Sequence, residues 1–390
     1  YAGGIIMIIN FSVEGFLSMH DKVDLYFIPV TNTRLTKTRF ASNFLFTPKY
    51  KVMKSVVFFG ANASGKSNLL LAIQRFKDIV LHGVDLVNIN PIRQNYCNYA
   101  SDKDISFKIS MYDSKTQIEY EYFLKYNLKK VLEESFVRDD KVLFTFKNNE
   151  LRIADEAHVK ERESAQKLFS GESTETCLKK LTDYMSADVL AFQGLMKDII
   201  ITIRDFIPVL GRDNIFICAE SAKKLFEDNR QDVLGILQTL DFSVTGFTFH
   251  KLPDHKFEFM LERQKQDYHL GVESMGLQKM VSLMANFILA LHQGKVLIID
   301  ELDSSISTNT LIDLFNNFIN TDLNKGQFIV TSHNPFLLNQ NLFHPQQMYL
   351  VDKDKHLNTE VYSVDEFNIR NDKNKLYEDY LKGKLGGING

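Results

Sequence analysis

The sequence of 390 residues predicts an α/β fold with a mainly parallel central sheet. This prediction depends on three short apolar runs, at residues 56–59, 296–299 and 328–331. Continuous apolar runs of this length are typical of buried strands that are covered on both faces. Each run is followed at once by glycine-rich or polar sequence. Because ligands bind at the carboxyl ends of parallel strands, we expect these following residues to meet at one edge of the sheet.

The segment after the first run, residues 60–67, fits the pattern G-x-x-x-x-G-K-[ST] of the P-loop. Apolar residues then recur at helical spacing as far as Val80, and Gly83 stands where a helix would end. Backbone N–H groups of such a loop and helix start form an anion nest. Lys66 would reach the β- and γ-phosphate oxygens of ATP, and the Ser67 hydroxyl would hold Mg²⁺. The predicted nucleotide-binding residues are Gly60, Asn62, Ala63, Ser64, Gly65, Lys66, Ser67 and Asn68.

Two acids, Asp300 and Glu301, follow the second apolar run. We expect Asp300 to contact Mg²⁺ or its water shell, and Glu301 to orient and deprotonate the attacking water. The third run ends in Thr331 and is followed by Ser332-His333-Asn334-Pro335, which would place His333 near the γ-phosphate. Each pattern alone is common at strand ends, so the prediction depends on their order with the P-loop.

A fourth stretch, residues 273–278 with the sequence E-S-M-G-L-Q, precedes an apolar helical run that starts at Met280. Ser274, the Gly276 backbone and the start of this helix would form a second anion site. The alternative is an ordinary helix cap, in which Ser274 is the N-cap residue and Gln278 lies nearby.

The remaining sequence divides the chain into three predicted parts. Residues 1–150 form the N-terminal half of the nucleotide-binding core together with an antiparallel β subdomain, because apolar and polar residues alternate again after residue 104. Residues 151–242 are dominated by helical spacing and are predicted to be an inserted helical lobe. Residues 243–390 form the C-terminal half of the core.

Composition favours a cytoplasmic protein without a membrane span. Three cysteines lie far apart, at positions 97, 177 and 218, which argues against a disulfide framework and for a reducing compartment. No apolar run approaches the roughly 18 residues that a transmembrane helix needs. Residues 1–6 resemble a cloning remnant ahead of a natural start at Met7.

A basic window lies between Asp24 and Asp78, which contains no carboxylate although the net charge of the chain is −3. One interpretation is a positive surface that faces phosphates, either of ATP or of a nucleic acid. The favoured interpretation is a set of solvated strand faces near a triphosphate cleft, because the P-loop explains part of the charge. The window contains Arg34, Lys37, Arg39, Lys49, Lys51, Lys54, Lys66, Arg75 and Lys77.

The order of P-loop, E-S-x-G-x-Q, I-I-D-E-L-D and T-S-H-N-P resembles the heads of ABC-type ATPases, the group that contains the SMC, RecF and OLD-family proteins. The resemblance covers residues 7–82 and 243–351, and it is strongest to AAA ATPases of prokaryotic anti-phage defence, such as the OLD, Septu, PARIS, Rlo and abortive-infection types. It implies a P-loop NTPase with an ABC-type core of mixed, mainly parallel sheet, an adjoining antiparallel β subdomain and an inserted helical lobe.

The resemblance also implies roles for single residues. In that family the signature of one subunit closes over ATP held by the P-loop of another, so Ser274 and Gly276 would act in trans. Asp303 would lie at the dimer seam, His333 would match the switch histidine, and Glu301 would match the catalytic glutamate. Gln94 is the candidate glutamine of the Q-loop, although its sequence context is weak, and the signature departs from the L-S-G-G-Q of transporters.

The function predicted from these observations is Mg²⁺-dependent ATP hydrolysis by a homodimer or higher oligomer, which controls a partner effector such as a nuclease or toxin in anti-phage defence. We expect the effector to dock on residues 151–240, the part outside the predicted nucleotide core. Two alternatives remain open at this point. One is a DNA-repair head of RecF type that binds duplex DNA through the basic window, and the other is a nucleotide-gated scaffold with little turnover.

Overall fold

The computed structural model describes residues 4–29, 38–84, 103–127, 129–155, 157, 159, 161–203, 216–367, 375–383 and 385. Gln94, Cys97, Arg34 and Lys37, which the sequence singled out, lie outside these residues.

The strands of the N-terminal part are β1 (Ile6–Glu14), β2 (Val23–Tyr26), β3 (Phe44–Phe46), β4 (Lys51–Met53), β5 (Ser55–Phe59), β6 (Ile105–Asp113), β7 (Ile118–Tyr126), β8 (Val131–Arg138), β9 (Lys141–Lys147) and β10 (Glu150–Ile153). Those that follow are β11 (Ile199–Thr202), β12 (Ile217–Ala219), β13 (Gly246–Lys251), β14 (Lys256–Arg263), β15 (Gln266–His269), β16 (Val296–Ile299), β17 (Gln327–Ser332), β18 (Met348–Lys353) and β19 (Thr359–Ser363). The helices are Lys66–His82, Arg162–Phe169, Cys177–Lys180, Ser186–Lys197, Glu220–Asp228, Arg230–Leu240, Met275–Gln293, Thr308–Leu314 and Lys375–Leu381.

The three continuous apolar runs form neighbouring strands of a central six-stranded sheet with the order β11-β16-β17-β5-β18-β19. All pairs are parallel except β18 with β19. The runs are apolar on both faces because each face meets a core: Val56 and Phe58 belong to one buried cluster, and Val57 and Phe59 belong to the other. The predicted mixed, mainly parallel sheet is therefore confirmed.

The N-terminal segments in which apolar and polar residues alternate form a seven-stranded antiparallel sheet. Its strand order is β10-β9-β8-β7-β6-β1-β2. Its inner face covers the helix Lys66–His82, which we call the P-loop helix. Phe76 of this helix stacks on Phe107 at a centroid distance of 5.1 Å and on Tyr122 at 5.5 Å. This sheet is the predicted antiparallel β subdomain, and it is packed directly against the P-loop helix.

The segment predicted as a helical lobe is mainly helical, but its parts lie on two sides of the central sheet. The helix Ser186–Lys197 belongs to the cluster of the P-loop helix, and β11 directly after it pairs with β16. The helices Glu220–Asp228 and Arg230–Leu240 pack instead on the helix Met275–Gln293, which we call the signature helix. The segment therefore contributes to the nucleotide core as well as extending it.

The register of the sheet decides which residues meet at its carboxyl edge. Ile299 of β16 is paired with Val330 of β17, and Ser332 of β17 is paired with Phe59 of β5. The P-loop, the two acids and His333 therefore leave the sheet from three adjacent strands. Among the described helices, none has the length and apolar content needed to cross a lipid bilayer.

Candidate functional site

The P-loop curls tightly because glycines occupy its two crowded positions. A Cβ atom on Gly60 would collide with the carbonyl oxygen of Val351, and one on Gly65 would collide with the Thr359 side chain. Gly65 also has a φ of 113°, which L side chains rarely adopt. The P-loop therefore needs glycine at both positions, because any side chain there would collide with its surroundings.

Lys66 is folded into this loop. Its Nζ donates hydrogen bonds to Gly60 O at 2.7 Å and to Ala61 O at 2.8 Å. Burial lowers the pKa of Lys66, and the charges of the three acids Asp300, Glu301 and Asp303 act in the opposite direction. The lysine of the P-loop and the acids beyond β16 therefore lie within electrostatic reach of each other, as the sequence predicted.

The start of the P-loop helix is open to an anion. Gly65 is its N-cap residue, and no side chain caps its first N–H groups. Ser64 adds a hydroxyl that is buried without a hydrogen-bond partner, and Ser67 lies half-buried on the first turn. Unpaired N–H groups, an orphaned hydroxyl and a buried ammonium together fit the phosphates of a nucleotide. Asn62 and Ala63 form the exposed tip of the loop.

Two residues that the sequence analysis did not identify, Thr359 and Ser18, hold the P-loop through hydrogen bonds. Thr359, the first residue of β19, has its Oγ1 2.7 Å from Ser18 Oγ and 3.1 Å from Ser64 O. Asn68 Nδ2 donates to Ser18 Oγ at 2.8 Å. Asn68, which we predicted to contact nucleotide, is thus bonded to this support. Single hydroxyl residues such as Ser18 and Thr359 gave no sequence signal for such a role.

Thr331 connects the two acids. Its Oγ1 donates to Asp300 Oδ1 at 2.6 Å and accepts from the backbone N–H of Glu301 at 2.7 Å. Asp300 is buried, whereas the Glu301 side chain is exposed and its φ is 50°. A polar residue inside an otherwise apolar buried run was the signal in the sequence that would have identified Thr331.

Asp303 and His333 form a pair at the same edge. One carboxylate oxygen of Asp303, Oδ2, accepts from the backbone N–H of His333 at 3.0 Å and lies 3.1 Å from His333 Nδ1. The other oxygen, Oδ1, is buried without a partner. The imidazole side chain of His333 is half exposed.

The signature stretch shows the helix cap that was the alternative to a second anion site. Ser274 Oγ accepts from Leu277 N at 3.3 Å, and Gln278 Nε2 donates to Glu273 O at 2.9 Å. Ser274 is nevertheless exposed, as is Met275 beside it. The cap therefore holds the helix start without removing the serine from the surface.

Arg263 fixes the loop in front of the signature helix. Its guanidinium binds both carboxylate oxygens of Glu273, at 2.6 and 2.9 Å, and it also binds Asp241 at 2.6 Å and Ser243 at 2.8 Å. These hydrogen bonds, led by those to Glu273, raise the pKa of Arg263. The bidentate pair ties the residue before Ser274 to the end of β14.

Lys279, on the signature helix, reaches the segment that contains the acids. Its Nζ donates to three carbonyl oxygens, Glu301 O at 2.6 Å, Leu302 O at 3.0 Å and Ser304 O at 2.9 Å. Burial lowers the pKa of Lys279 to about 8. A single lysine in the apolar face of a helix was the sequence signal for this contact.

The described residues of the basic window are mostly bonded within the fold. Arg39 donates to Gln340 O, Lys49 pairs with Glu119, Lys54 donates to Thr321 O, and Lys77 donates to Ile199 O. With Lys66 folded into the P-loop, this geometry favours the structural interpretation of the window over a continuous nucleic-acid surface.

The sequence matches the family described as "AAA domain, putative AbiEii toxin, Type IV TA system" over residues 55–339, which is more than half of the chain. The chain belongs to this family. The matched region runs from β5 through the P-loop, the signature helix and the acids to His333. The predicted membership of an AAA family of abortive-infection type is therefore confirmed, and the P-loop, the two acids and His333 lie at one edge of the central sheet.

Solved structures show the same fold at low sequence identity. The structure described as "Crystal structure of the SmcHead bound to the C-winged helix domain of ScpA" has a TM-score of 0.55 and 13% identity, covering 92% of this chain and 98% of that chain. An Smc head domain with a coiled coil and joint derived from Pyrococcus yayanosii has a TM-score of 0.50 and 11% identity, covering 97% of this chain and 100% of that chain. No curated protein matches the sequence.

Proposed function

We propose that this chain binds and hydrolyses ATP with Mg²⁺, that two copies close around the nucleotide, and that this cycle controls a partner effector in anti-phage defence. The observation that carries the proposal is the convergence of Lys66, which follows β5, with Asp300 and Glu301, which follow β16, at the edge of the sheet where both strands flank β17. A fold or a family name alone would not require that convergence.

The residues present fit both ATP and Mg²⁺. The uncapped helix start and the partnerless Ser64 hydroxyl offer donors for phosphate oxygens. Ser67 and Asp300 would hold the metal, which supplies charge neutralisation at the phosphates when bound. Within the described residues no group of three His, Cys, Asp or Glu side chains is placed to hold a metal ion.

The reaction assigned to the site is phosphoryl transfer to water. The water oxygen forms a bond to the γ-phosphorus while the bond from that phosphorus to the β–γ bridging oxygen breaks, and ADP leaves. Glu301 accepts the proton of the water, because it follows Asp300 at the carboxyl end of β16 and its side chain is exposed. Lys66 stabilises the charge on the transferred group, and the His333 ring contacts a γ-phosphate oxygen. Catalysis then consists of positioning and charge stabilisation.

A second copy would complete the site through its signature. Ser274 and Met275 are exposed, and Val272 two residues earlier is 77% exposed, so this helix start is uncovered in the single chain. Exposed apolar residues around a capped helix start suit a surface that closes on another molecule. Ser274 and the Gly276 backbone would then donate to a nucleotide held by the other copy.

An effector partner is proposed from the family. Its description includes a toxin and a toxin–antitoxin system, and one solved head of this fold is bound to the winged-helix domain of ScpA. The segment 151–240 remains the proposed docking surface, since Leu168 and Leu190 are 66% and 54% exposed on its helices. Because β11 within the segment is part of the central sheet, substitutions such as Leu168→Asp test docking better than a deletion. Undiminished pull-down of the effector by Leu168→Asp and Leu190→Asp would refute this surface.

The proposed ATPase is tested by Glu301→Gln. We expect turnover to fall by about 10²–10⁴-fold, the range for loss of a general base, while ATP is still bound and closed dimers accumulate. Glu150→Gln is the control, because Glu150 is exposed on β10 and pairs only with Arg152. Steady-state phosphate release and size-exclusion chromatography with ATP provide the measurements. Wild-type turnover in Glu301→Gln would remove the role of Glu301, and no turnover in the wild-type protein would leave a nucleotide-gated scaffold.

A further inference from the structure

The turn that contains the catalytic acids is held in an unfavourable backbone shape. This turn, residues 300–305, which we call the acidic turn, has a φ of 50° at Glu301 and of 65° at Ser305. Non-glycine residues adopt positive φ only where the surroundings compensate for the cost. Something outside the turn must therefore hold the Glu301 backbone in place.

Two contacts hold it. On one side, Thr331 accepts from Glu301 N. On the other, the Lys279 ammonium donates to the carbonyl oxygens of Glu301, Leu302 and Ser304. An ammonium group has three protons to donate, so the three carbonyls use its full capacity. Loss of the ammonium would remove one donor from each carbonyl oxygen: Glu301 O would keep the hydrogen bond from Ser304 N, whereas the buried Leu302 O would lose the donor that Lys279 supplies.

The same helix touches the acidic turn at a second point. A Cβ on Gly276 would come within 2.5 Å of Ser305 O, so the helix backbone and the turn are in close contact there. Gly276 and Lys279 lie one turn apart on the signature helix, on the face that meets the acidic turn. The first turn of the signature helix thus connects two parts of the molecule. Ser274 lies at its start, and Gly276 and Lys279 contact the acidic turn that contains the Glu301 backbone.

We propose that Lys279 is a positioning residue that sets the geometry of Glu301 from the signature helix. In a closed pair, Ser274 and Gly276 of one chain would contact the nucleotide on the other copy, while Lys279 of the same helix holds Glu301 against the chain's own nucleotide. When the signature of one chain contacts the nucleotide on the other copy, the position of Glu301 in the first chain's own site therefore changes, and with it the rate of hydrolysis there. This inference rests on the proposed function and assigns a part of it to a residue outside the motifs.

The test is Lys279→Met, which keeps side-chain length and removes the donors. We expect kcat to fall at least tenfold, while the affinity for a fluorescent ATP analogue changes less than threefold, because the P-loop is untouched. Lys54→Met is the matched control. Lys54 is also a buried lysine whose Nζ donates to a backbone carbonyl, that of Thr321, but it lies at the opposite end of β5. This control should keep wild-type kcat even if it lowers stability.

A double-mutant cycle separates positioning from general damage. If Lys279 acts through Glu301, adding Lys279→Met to Glu301→Gln should lower turnover by less than twofold beyond Glu301→Gln alone. A further tenfold loss in the double variant would overturn the inference, as would wild-type kcat in Lys279→Met. If Lys279→Met does not fold, Lys279→Arg carries the same cycle: a planar guanidinium cannot aim at three carbonyls around one point, so kcat should fall several-fold.

The outcomes also separate this inference from the proposed function. Reduced turnover in Glu301→Gln with wild-type turnover in Lys279→Met overturns the inference alone. Wild-type turnover in Glu301→Gln overturns the role of Glu301 and the inference together, since Lys279 would then have no base to position.

Discussion

Thr331 donates a hydrogen bond of 2.6 Å to Asp300, and the same hydroxyl oxygen accepts from the backbone of Glu301. One side chain on β17 thus orients the proposed metal ligand and the proposed base, both of which follow β16. Since the two strands are paired in parallel, this bond locks the ends of neighbouring strands to each other.

Thr331→Val keeps the shape of this side chain and removes both hydrogen bonds. We expect kcat to fall by about tenfold, because a hydrogen bond to a charged group contributes about 1.5–3 kcal/mol and part of the geometry survives through packing. Steady-state ATPase assays measure the effect. Thr239→Val is the control, since its hydroxyl donates only to Gly235 O within a helix. Equal turnover of wild-type protein and Thr331→Val would show that the bond has no catalytic role.

Lys66→Ala should weaken binding of ATP by about 10- to 100-fold, the range expected for one charge-assisted contact. The loop carbonyls of Gly60 and Ala61 would also lose the hydrogen bonds from Lys66, although Ala61 O would keep the one from Ser64 N. Titration with a fluorescent ATP analogue provides the measurement. Lys77→Ala on the same helix is the comparison, because Lys77 Nζ bonds Ile199 O away from the loop. Unchanged affinity in Lys66→Ala would contradict the phosphate-binding role.

Gly65→Ala should abolish nucleotide binding and lower stability more than Gly171→Ala does. Both glycines have a φ of 113°, so the backbone cost of alanine is about 1–3 kcal/mol in each. Only at Gly65 would the new Cβ collide with Thr359, whereas nothing lies within 4 Å at Gly171. Urea unfolding of the two variants, followed by ATP titration, separates the collision from the backbone strain. Similar losses in both variants would mean that strain alone matters.

Glu134 predicts a specific dependence of stability on pH. It is fully buried, and burial raises its pKa to about 7, although hydrogen bonds from Leu178 N, Cys177 N and Tyr122 act in the opposite direction. Because the folded state binds this proton more tightly than the unfolded state, its contribution is present below pH 4.5 and is lost as the pH rises through about 7.

Glu134→Gln should remove this component of the pH dependence. The free energy of unfolding of the wild-type protein should therefore fall relative to that of Glu134→Gln between pH 5 and pH 8, by about 3 kcal/mol at most. Urea unfolding at several pH values measures it. Glu172→Gln, an exposed glutamate paired with Lys130, should follow the wild-type curve. Parallel curves for wild-type protein and Glu134→Gln would show that Glu134 does not titrate in this range.

Motif order and apolar runs predicted the site because both depend on local sequence. The runs at 56–59, 296–299 and 328–331 gave the correct neighbouring strands, since only parallel strands covered on both faces are apolar throughout. Residues that act through long-range contacts were not predictable in this way. Thr359 and Ser18 meet the P-loop only because β19 and the turn after β1 fold onto it. Arg263 is an ordinary strand residue until the fold brings Glu273 beside it.

The segment 151–242 illustrates a second limit. Its helical spacing was visible, but β11 is only four residues long and carries no motif. The pairing of β11 with β16 exists only in the folded sheet and cannot be read from helical periodicity. The sequence analysis therefore assigned β11 to the helical lobe.

The order of strands around β5 has a consequence for synthesis of the protein on the ribosome. The P-loop strand β5 (Ser55–Phe59) is flanked by β17 (Gln327–Ser332) and β18 (Met348–Lys353), which are synthesised much later. The nascent N-terminal part therefore exposes its phosphate loop beside an unpaired strand edge until β17 and β18 have emerged. A product truncated before β18 would lack the strands that flank the P-loop strand. Binding of ATP by the nascent protein would therefore indicate that translation has passed β18.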